Sequence, residues 1–337
     1  MKIKNFFFNC GPQLLFKNKI FLKEKKLIEK NFNILSFGNK NKNIYFYIIR
    51  RSPGSGLFSN ITIILNHLKI CKYFNFIPVI DMQNFTTIYN EKSRIFNTYN
   101  AWEYYFNKLN KYSLNTVYKS KNVIFCQNTV SEKIILDMTH PKIRKFFKII
   151  KIKKRILNKA HSFFLKKFKP LDKILGVHFR GSTYKIARGH AFPATPKLMI
   201  KKVDNLIKRF KYNKIFLATE EKSYLEIFKN KYKDMCFFYD GYRMKDLDSF
   251  NIYPRRKHRY KLGEESLIDA IILSKCQGLA YIRSNLISAA ILMSNIKQNN
   301  HEIFLGFNSR NKFISRWLWY LKSWLPTNLG GLKIYNN

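Results

Sequence analysis

Apolar and polar positions follow clear periods in the second half of the chain. Residues 174–177 read Ile-Leu-Gly-Val and are followed by His-Phe-Arg-Gly at 178–181. A short apolar run that ends at a charge and a glycine predicts a buried strand. Because such a strand carries charge cheaply only at its end, we expect Arg180 to face a crevice there and to bind an anion. Residues 196–210 have apolar side chains at every third or fourth position, which predicts an amphipathic helix.

A strand–helix–strand unit is predicted in the first half. Residues 43–50 and 76–81 are rich in β-branched and aromatic side chains, and residues 61–74 between them have a helical period. The connection at 51–60 contains two glycines. It lacks both the Gly-Lys-Ser/Thr of an ATP-binding loop and the third glycine of a dinucleotide fingerprint, so the sequence disfavours ATP hydrolysis and NAD binding. Glycines that only close a tight turn are the alternative interpretation.

Length and composition predict two α/β domains. The chain has 337 residues, of which 46% are hydrophobic, and this exceeds one ordinary domain. A charged segment at 167–173 separates a basic helical region at 141–168 from the second set of strands. We therefore predict a Rossmann-like N-terminal domain over 1–168, a second Rossmann-like domain over 169–300, and an aromatic, basic helix and tail over 301–337.

The net charge of +43 comes from 63 Lys and Arg against 20 Asp and Glu. Such a balance is typical of nucleic-acid binders. The lysines are nevertheless scattered among Asn, Ile and Phe, and we find no zinc finger, helix-turn-helix or RNP-like strand. The sequence therefore predicts no specific nucleic-acid partner, and it favours association with anionic lipids or acidic glycans.

The segment 313–325 holds three of the four tryptophans, with Arg316 and Lys322 between them. This composition is typical of an interfacial amphipathic helix. A helix that packs back on the first domain is the alternative interpretation, and the two are compatible.

Targeting signals are weak in this sequence. The lead-in at 1–42 has too many charges for a signal peptide, and no apolar stretch reaches the 18 or so residues that span a bilayer. The five cysteines show no metal-ligand spacing and fit a reducing compartment. We expect a cytoplasmic protein that associates peripherally with the inner face of a membrane.

Four segments carry a family resemblance. The first segment resembles the donor-site motif of the fucosyltransferase superfamily, and the match runs through Gly176, Val177, His178, Arg180 and Gly181. This superfamily includes the α-1,6-, rhizobial nodulation and protein O-fucosyltransferases. Thr183 stands where the family has an aspartate. The segment 214–221 looks like the family's second block. The third block is matched by 266–276 and 281–285, and a glycine turn of the family by 56–60.

The resemblance implies a GT-B-like fold, two Rossmann-like domains with a cleft between them and a C-terminal helix. It also implies transfer of fucose from GDP-fucose to a glycan hydroxyl with inversion. Many glycosyltransferases bind Mg²⁺ at an Asp-x-Asp motif, and we expect no such motif here. We therefore expect Arg180 to neutralise the departing diphosphate, without a metal or other cofactor. Asp269 and Glu220 or Glu221 are expected at the base or ribose, and Ser284 at a phosphate. The full set of expected donor-binding residues is Gly54, Gly56, Asn60, His178, Gly181, Lys185, Glu220, Glu221, Asp269 and Ser284.

Two interpretations are left open for Asp269. A carboxylate on a helix is often a surface group, here paired with Lys275, or a helix cap. The neighbouring residues are apolar almost all round, which instead indicates a buried carboxylate with a defined partner.

The general base is the least determined role. The sequence has no carboxylate between Arg180 and Asp204. His190 has a suitable ordinary acidity, and Asp81 follows a strand of the first domain, so the catalytic candidates are Arg180, His190 and Asp81. Catalysis driven mainly by the leaving group is the alternative.

Two further alternatives concern function. A transferase of this fold that uses another nucleotide sugar would keep Arg180. A noncatalytic, polyanion-binding protein on a degenerate glycosyltransferase fold would bind any polyanion in a salt-sensitive way. The acceptor is expected to be a glycan such as a lipopolysaccharide or capsule.

Overall fold

The structure is a computed structural model that describes residues 32–126, 147–181, 183–244 and 249–334. The chain forms two compact units, residues 1–152 and 153–337. The division therefore lies earlier than the predicted boundary at 168/169. The helix at 154–167 packs on a helix of the second unit, and this contact places it in that unit.

The first unit is built on a four-stranded sheet with the order β1-β4-β2-β3. Strand β2 is parallel to β3 and β4, while β1 is antiparallel to β4. The predicted strand–helix–strand unit is thus confirmed as β2-α1-β3. The elements are β1 (Ile34–Leu35), β2 (Lys40–Ile49), α1 (Leu57–Phe74), β3 (Ile77–Ile80), α2 (Ala101–Tyr105), α3 (Leu114–Val117) and β4 (Ser120–Phe125).

The second unit is a doubly wound domain. Its elements are α4 (Lys154–Lys167), β5 (Ile174–His178), α5 (Pro196–Phe210), β6 (Lys214–Ala218), α6 (Lys222–Tyr232), β7 (Cys236–Phe237), α7 (His258–Leu273), β8 (Gly278–Tyr281), α8 (Asn285–Met293), β9 (Asn299–Glu302) and α9 (Ile314–Trp324). All five strands are parallel, in the order β7-β6-β5-β8-β9. The chain leaves β5 toward β6 on one side and later adds β8 on the other. The order therefore reverses at β5, where open α/β sheets bind their ligands.

Local signals in the sequence specify α5. Thr195 caps the helix by accepting a hydrogen bond from the Leu198 backbone N–H at 3.4 Å, and Pro196 occupies the first turn. The helix ends where Lys211 adopts a left-handed conformation with φ of 57°. Its apolar face packs on β5 in the core of the second unit, where Leu175 and Val177 are fully buried.

Several predicted boundaries are wrong. Helix α1 begins at Leu57, so residues 57–60 lie in its first turn and not in the preceding loop. Helix α4 begins at Lys154, and α7 begins at His258. Strand β8 spans Gly278–Tyr281, and α8 begins behind a Ser284 cap, so the matched segment 281–285 holds only the last residue of a strand and the turn into a helix.

Some predictions concern residues outside the described ranges. These are the lead-in at 1–31, where we expect no signal peptide, Cys10, which is one of the five cysteines, and residues 141–146 of the predicted basic helix. Within the ranges that are described, no helix is long and apolar enough to cross a membrane.

Candidate functional site

Arg180 lies two residues beyond the carboxyl end of β5, the central strand of the second unit. Phe179 before it is fully buried, and its backbone N–H donates to the Ala218 carbonyl at 2.9 Å. The Arg180 guanidinium makes two contacts with the Glu220 carboxylate: Nε lies 3.3 Å from Oε1, and Nη2 lies 3.3 Å from Oε2. It also lies over the Tyr184 ring, 4.2 Å from the ring centre. The predicted arginine is therefore held in one orientation at the reversal point of the sheet.

Gly181 allows two polar side chains to approach the backbone next to Arg180. A Cβ atom at this position would lie 2.5 Å from Glu221 Oε1 and 2.6 Å from the Tyr224 hydroxyl oxygen. Tyr224 is buried and stacks on Phe179 with ring centres 4.0 Å apart. Burial raises the pKa of the Tyr224 hydroxyl, and nearby carboxylates raise it further. The glycine of the motif is thus required for packing, whatever its role toward a ligand.

Lys185 and Glu221 form a partly enclosed ion pair beside this glycine. The Lys185 Nζ atom lies 3.5 Å from Glu221 Oε1, at the limit of a hydrogen bond, so Oε1 is buried without a well-formed hydrogen bond. Burial raises the pKa of Glu221, and the Lys185 ammonium opposes that shift. Lys185 also lies over the rings of Trp319 and Tyr224, at 5.0 and 5.4 Å. This lysine therefore has partners within the protein before any ligand binds.

His178 is enclosed within the sheet, with 3% of its surface exposed. Burial lowers the pKa of His178 to about 3, and the neighbouring Arg180 charge contributes to that shift. Its Nδ1 atom is buried without a hydrogen bond partner. The imidazole is therefore neutral at physiological pH.

Ser284 lies after β8, the strand next to β5. Its Oγ accepts a hydrogen bond from the Ile287 backbone N–H at 3.3 Å and so caps the nine-residue helix α8. The hydroxyl proton stays available for a further acceptor. Arg180, Glu220 and Ser284 thus follow β5, β6 and β8, three adjacent parallel strands whose carboxyl ends share one edge of the sheet.

Asp269 belongs to a charged cluster on α7. Burial raises the pKa of Asp269 to about 7; Arg243 lowers it and Glu265 raises it. The Asp269 Oδ1 atom is buried without a hydrogen bond partner. Glu265, one turn earlier, receives two hydrogen bonds from Arg255, at 2.5 and 2.7 Å. Of the two interpretations of Asp269, the structure favours the buried carboxylate over a surface pair with Lys275.

Gly54 and Gly56 lie in the turn between β2 and α1 in the first unit, and Asn60 lies in the first turn of α1. Gly54 has a φ of +76°, which a side chain would disfavour. The buried Asn60 side chain accepts a hydrogen bond from the Ser55 backbone N–H at 3.2 Å. The interpretation of these residues as a tight turn is therefore supported directly. Their role toward a donor stays a prediction.

The structure does not support the general-base hypothesis for Asp81. This carboxylate is fully buried and accepts four hydrogen bonds. The donors are the backbone N–H groups of Gln83 and Asn84, the Asn84 side-chain amide, and the Tyr118 hydroxyl at 2.6 Å. A base needs an accessible lone pair, and these contacts instead use the carboxylate to shape the turn after β3.

His190, the other candidate base, is exposed at the end of the loop that follows Arg180. Its ring lies 4.8 Å from that of Tyr184, the ring on which Arg180 stacks. Tyr184 thus connects His190 and Arg180.

Sequence reasoning also missed three residues of the site. Tyr224 lies in the first turn of α6, three residues after its N-cap Glu221, and so it starts close to the end of β6 and the motif. Arg243 and Trp319 are distant in sequence and reach Asp269 and Lys185 only through tertiary structure.

The expectation of metal independence rests partly on the absence of an Asp-x-Asp motif, and that part is wrong. One such triplet, Asp246-Leu247-Asp248, is present in the sequence and lies outside the described residues. Within the described ranges, no group of three or more His, Cys, Asp or Glu is placed to hold a metal ion.

Comparisons with known proteins concern the fold. No protein-family model and no curated protein matches the sequence. Among solved structures, NodZ, an α-1,6-fucosyltransferase co-crystallised with GDP, is similar with a TM-score of 0.50 and 16% identity, over 75% of this chain and 93% of that chain. The chain shares the overall fold of this structure. POFUT1 in complex with GDP matches at a TM-score of 0.45 and 9% identity, over 77% of this chain and 99% of that chain. The similarity in fold confirms the predicted parallel α/β class, and it confirms the predicted resemblance at the level of the fold.

Proposed function

We propose that the chain is a glycosyltransferase that moves fucose from GDP-fucose to a glycan hydroxyl, with inversion and without a metal. The observation that carries the proposal is the Arg180 guanidinium, oriented by Glu220 and Tyr184 at the reversal point of a doubly wound sheet. The NodZ structure of similar fold is co-crystallised with GDP. A nucleotide diphosphate placed at this edge would bring its charge to the arginine.

In the proposed reaction, the acceptor hydroxyl attacks the anomeric carbon while the bond from that carbon to the diphosphate oxygen breaks. The departing oxygen keeps the electron pair, so negative charge grows on the diphosphate. Arg180 neutralises this charge, and the Ser284 hydroxyl with the first N–H groups of α8 donates to a phosphate oxygen. Lys185 adds a second positive charge near the same loop.

Glu220 acts in this proposal as a positioning residue. Two contacts of 3.3 Å fix the plane of the guanidinium before the donor arrives. The outer edge of Arg180 can then face phosphate oxygens, since its side chain is 29% exposed. An oriented charge stabilises a transition state without the cost of reorganising solvent.

Asp269 is proposed to accept hydrogen bonds from the guanine base, and His190 to remove the acceptor proton. Asp269 has a buried, unpartnered oxygen, and His190 is the exposed member of the two candidate bases. The glycan identity and the acceptor-side role of the first unit stay predictions.

The test combines binding and rate. Thermal unfolding is measured with GDP, GDP-fucose, UDP and no ligand, in EDTA and moderate salt, for wild type, Arg180→Ala and the exposed control Arg209→Ala. A ligand at about 100 times its Kd stabilises the folded protein by about 2.7 kcal/mol. We expect guanine nucleotides alone to raise the Tm of wild type and Arg209→Ala. Hydrolysis or transfer of GDP-fucose should fall about 10²- to 10³-fold in Arg180→Ala.

Four results would reject parts of the proposal. Equal stabilisation by all polyphosphates, unchanged in Arg180→Ala, would favour the polyanion-binding alternative, and a preference for UDP would favour another nucleotide sugar. Loss of transfer in EDTA, reproduced by an Asp246→Asn, Asp248→Asn double variant in the presence of Mg²⁺, would overturn metal independence. Unchanged transfer by His190→Ala would exclude His190 as the base.

A further inference from the structure

Helix α9 has an unusual distribution of apolar side chains. Its buried residues are Ser315 and Trp319, one turn apart on one face. On the other faces, large apolar side chains are exposed to solvent, including Trp324 at 80%, Trp317 at 68% and Leu321 at 62%. At 100° per residue, the exposed residues Phe313, Ile314, Trp317, Leu321, Trp324 and Leu325 form one continuous stripe.

The buried face of α9 is already occupied within the second unit. Trp319 donates from its indole Nε1 to the Pro193 carbonyl at 2.8 Å and packs with Phe192 and Leu332. The exposed stripe therefore cannot be explained as the side of the helix that packs on its own domain. Monomeric soluble proteins rarely leave a contiguous apolar patch of this kind in water.

The charge around the stripe selects the partner. Residues 303–337 contain Arg310, Lys312, Arg316, Lys322 and Lys333 and no acidic residue. On the helix, Lys322 and Arg316 lie on the two sides of the stripe, by the same 100° projection. A second copy of this chain would bring the same positive charge against itself. An anionic lipid surface matches both the tryptophan-rich apolar stripe and its basic borders.

We infer that α9 is a docking element for the surface of an anionic lipid bilayer, with Trp317, Leu321 and Trp324 entering the interfacial layer. The helix has 11 residues and is too short to cross a bilayer, so it would rest in the interface. This inference does not depend on the proposed transferase activity.

The same helix is tied to the loop that follows Arg180. The Asn308 side-chain amide donates to the Lys185 carbonyl at 3.1 Å and to the Ser315 carbonyl at 2.9 Å. The Asn308 backbone N–H donates to the His190 carbonyl at 2.8 Å. A membrane bound by α9 would therefore lie at a fixed distance from the loop of residues 183–193, which favours an acceptor attached to that membrane.

The experiment uses the full chain and vesicles of phosphatidylcholine, with or without about one quarter phosphatidylglycerol. Co-sedimentation measures binding, and intrinsic fluorescence reports insertion, because three of the four tryptophans lie on α9 and Trp102 is buried. We expect binding to the anionic vesicles only, a blue shift of the emission, and loss of binding when salt is raised well above physiological strength.

Two pairs of variants separate the apolar and charged contributions. Trp317→Ser with Trp324→Ser should weaken binding on the order of tenfold or more, since both rings leave water on docking. Lys312→Gln with Arg316→Gln should weaken it roughly 30-fold. The matched control, Lys201→Gln with Lys208→Gln on α5, removes the same two charges from exposed positions elsewhere and should bind like wild type.

Three outcomes would overturn the inference. These are no binding to the anionic vesicles, equal weakening by the α5 control pair, or binding without a blue shift, which would indicate diffuse electrostatic adsorption. Concentration-dependent dimerisation in sedimentation velocity, abolished by the tryptophan pair, would instead assign the stripe to self-association. Unchanged binding of GDP by the tryptophan pair would separate a failure of this inference from a failure of the proposed function.

Discussion

Gly181→Ala is the substitution whose effect the structure defines most closely. The added Cβ would lie 2.6 Å from the Tyr224 hydroxyl oxygen and 2.5 Å from Glu221 Oε1, and it would also meet Tyr224 Cε2. These separations are far below van der Waals contact, so neighbouring atoms must move. Tyr224 cannot retreat easily, because it is 4% exposed and stacks on Phe179 at 4.0 Å.

Overpacking of a dense core costs about 1–3 kcal/mol. For a domain the size of the second unit, each 1 kcal/mol lowers the Tm by about 2–4 °C, which predicts a drop of roughly 2–12 °C. The assay is thermal unfolding followed by circular dichroism. Gly56→Ala is the control, because the nearest atom to its added Cβ is the Tyr89 hydroxyl at 4.0 Å.

A double variant tests whether the clash is the cause. Tyr224→Leu removes both tyrosine atoms that the added Cβ at position 181 would meet. Gly181→Ala should therefore cost less in the Tyr224→Leu background than in wild type, a coupling of about 0.5 kcal/mol or more. Unchanged stability of Gly181→Ala, or strictly additive effects in the cycle, would refute the close packing of Tyr224 against the motif.

Three further predictions concern buried groups. The pKa of Asp269 is raised to about 7, so its contribution to stability is present at low pH and is lost as the pH rises through that value. The Tm of wild type relative to Asp269→Asn should therefore fall between about pH 4 and pH 8. An Asp204→Asn control should not change this dependence. With its pKa lowered to about 3, His178 should show no imidazole titration by NMR between about pH 5 and pH 8, and a titration in that range would contradict its burial. Trp319→Ala should lower the free energy of unfolding, measured with denaturant, by about 3–5 kcal/mol, because Trp319 is buried. Substitution of the exposed Trp317 by Ala should lower it by less than about 0.5 kcal/mol. Equal losses would contradict the observed orientation of α9.

Prediction from sequence works best where the signal is local. Both ends of helix α5 are predicted correctly, since its Thr195 cap, Pro196 and apolar period lie within one segment. The predicted start of α1 is too late, because Gly56 and the residues after it allow both a loop and a helix terminus, and packing of the buried Leu57 and Phe58 selects the helix.

Candidate site residues divide in the same way. The sequence pattern places Arg180 at the end of a buried strand, and the structure has it there. Asp81 looks equally available at the end of its strand, yet four donors from the following turn and from Tyr118 enclose it. Those contacts depend on where a distant tyrosine packs, which strand periodicity does not specify.

Periodicity and side-chain chemistry are local properties, and they were enough to predict the α/β class, the motif that carries Arg180 and the composition of α9. Three other features could not be read from them: Glu220 orients Arg180, Gly181 is packed against Tyr224, and Trp319 is buried while Trp317 and Trp324 face solvent. Strand order and helix rotation arise from contacts between segments far apart in the chain. Those contacts select which of two chemically equivalent side chains is enclosed and which is available to a ligand or a surface.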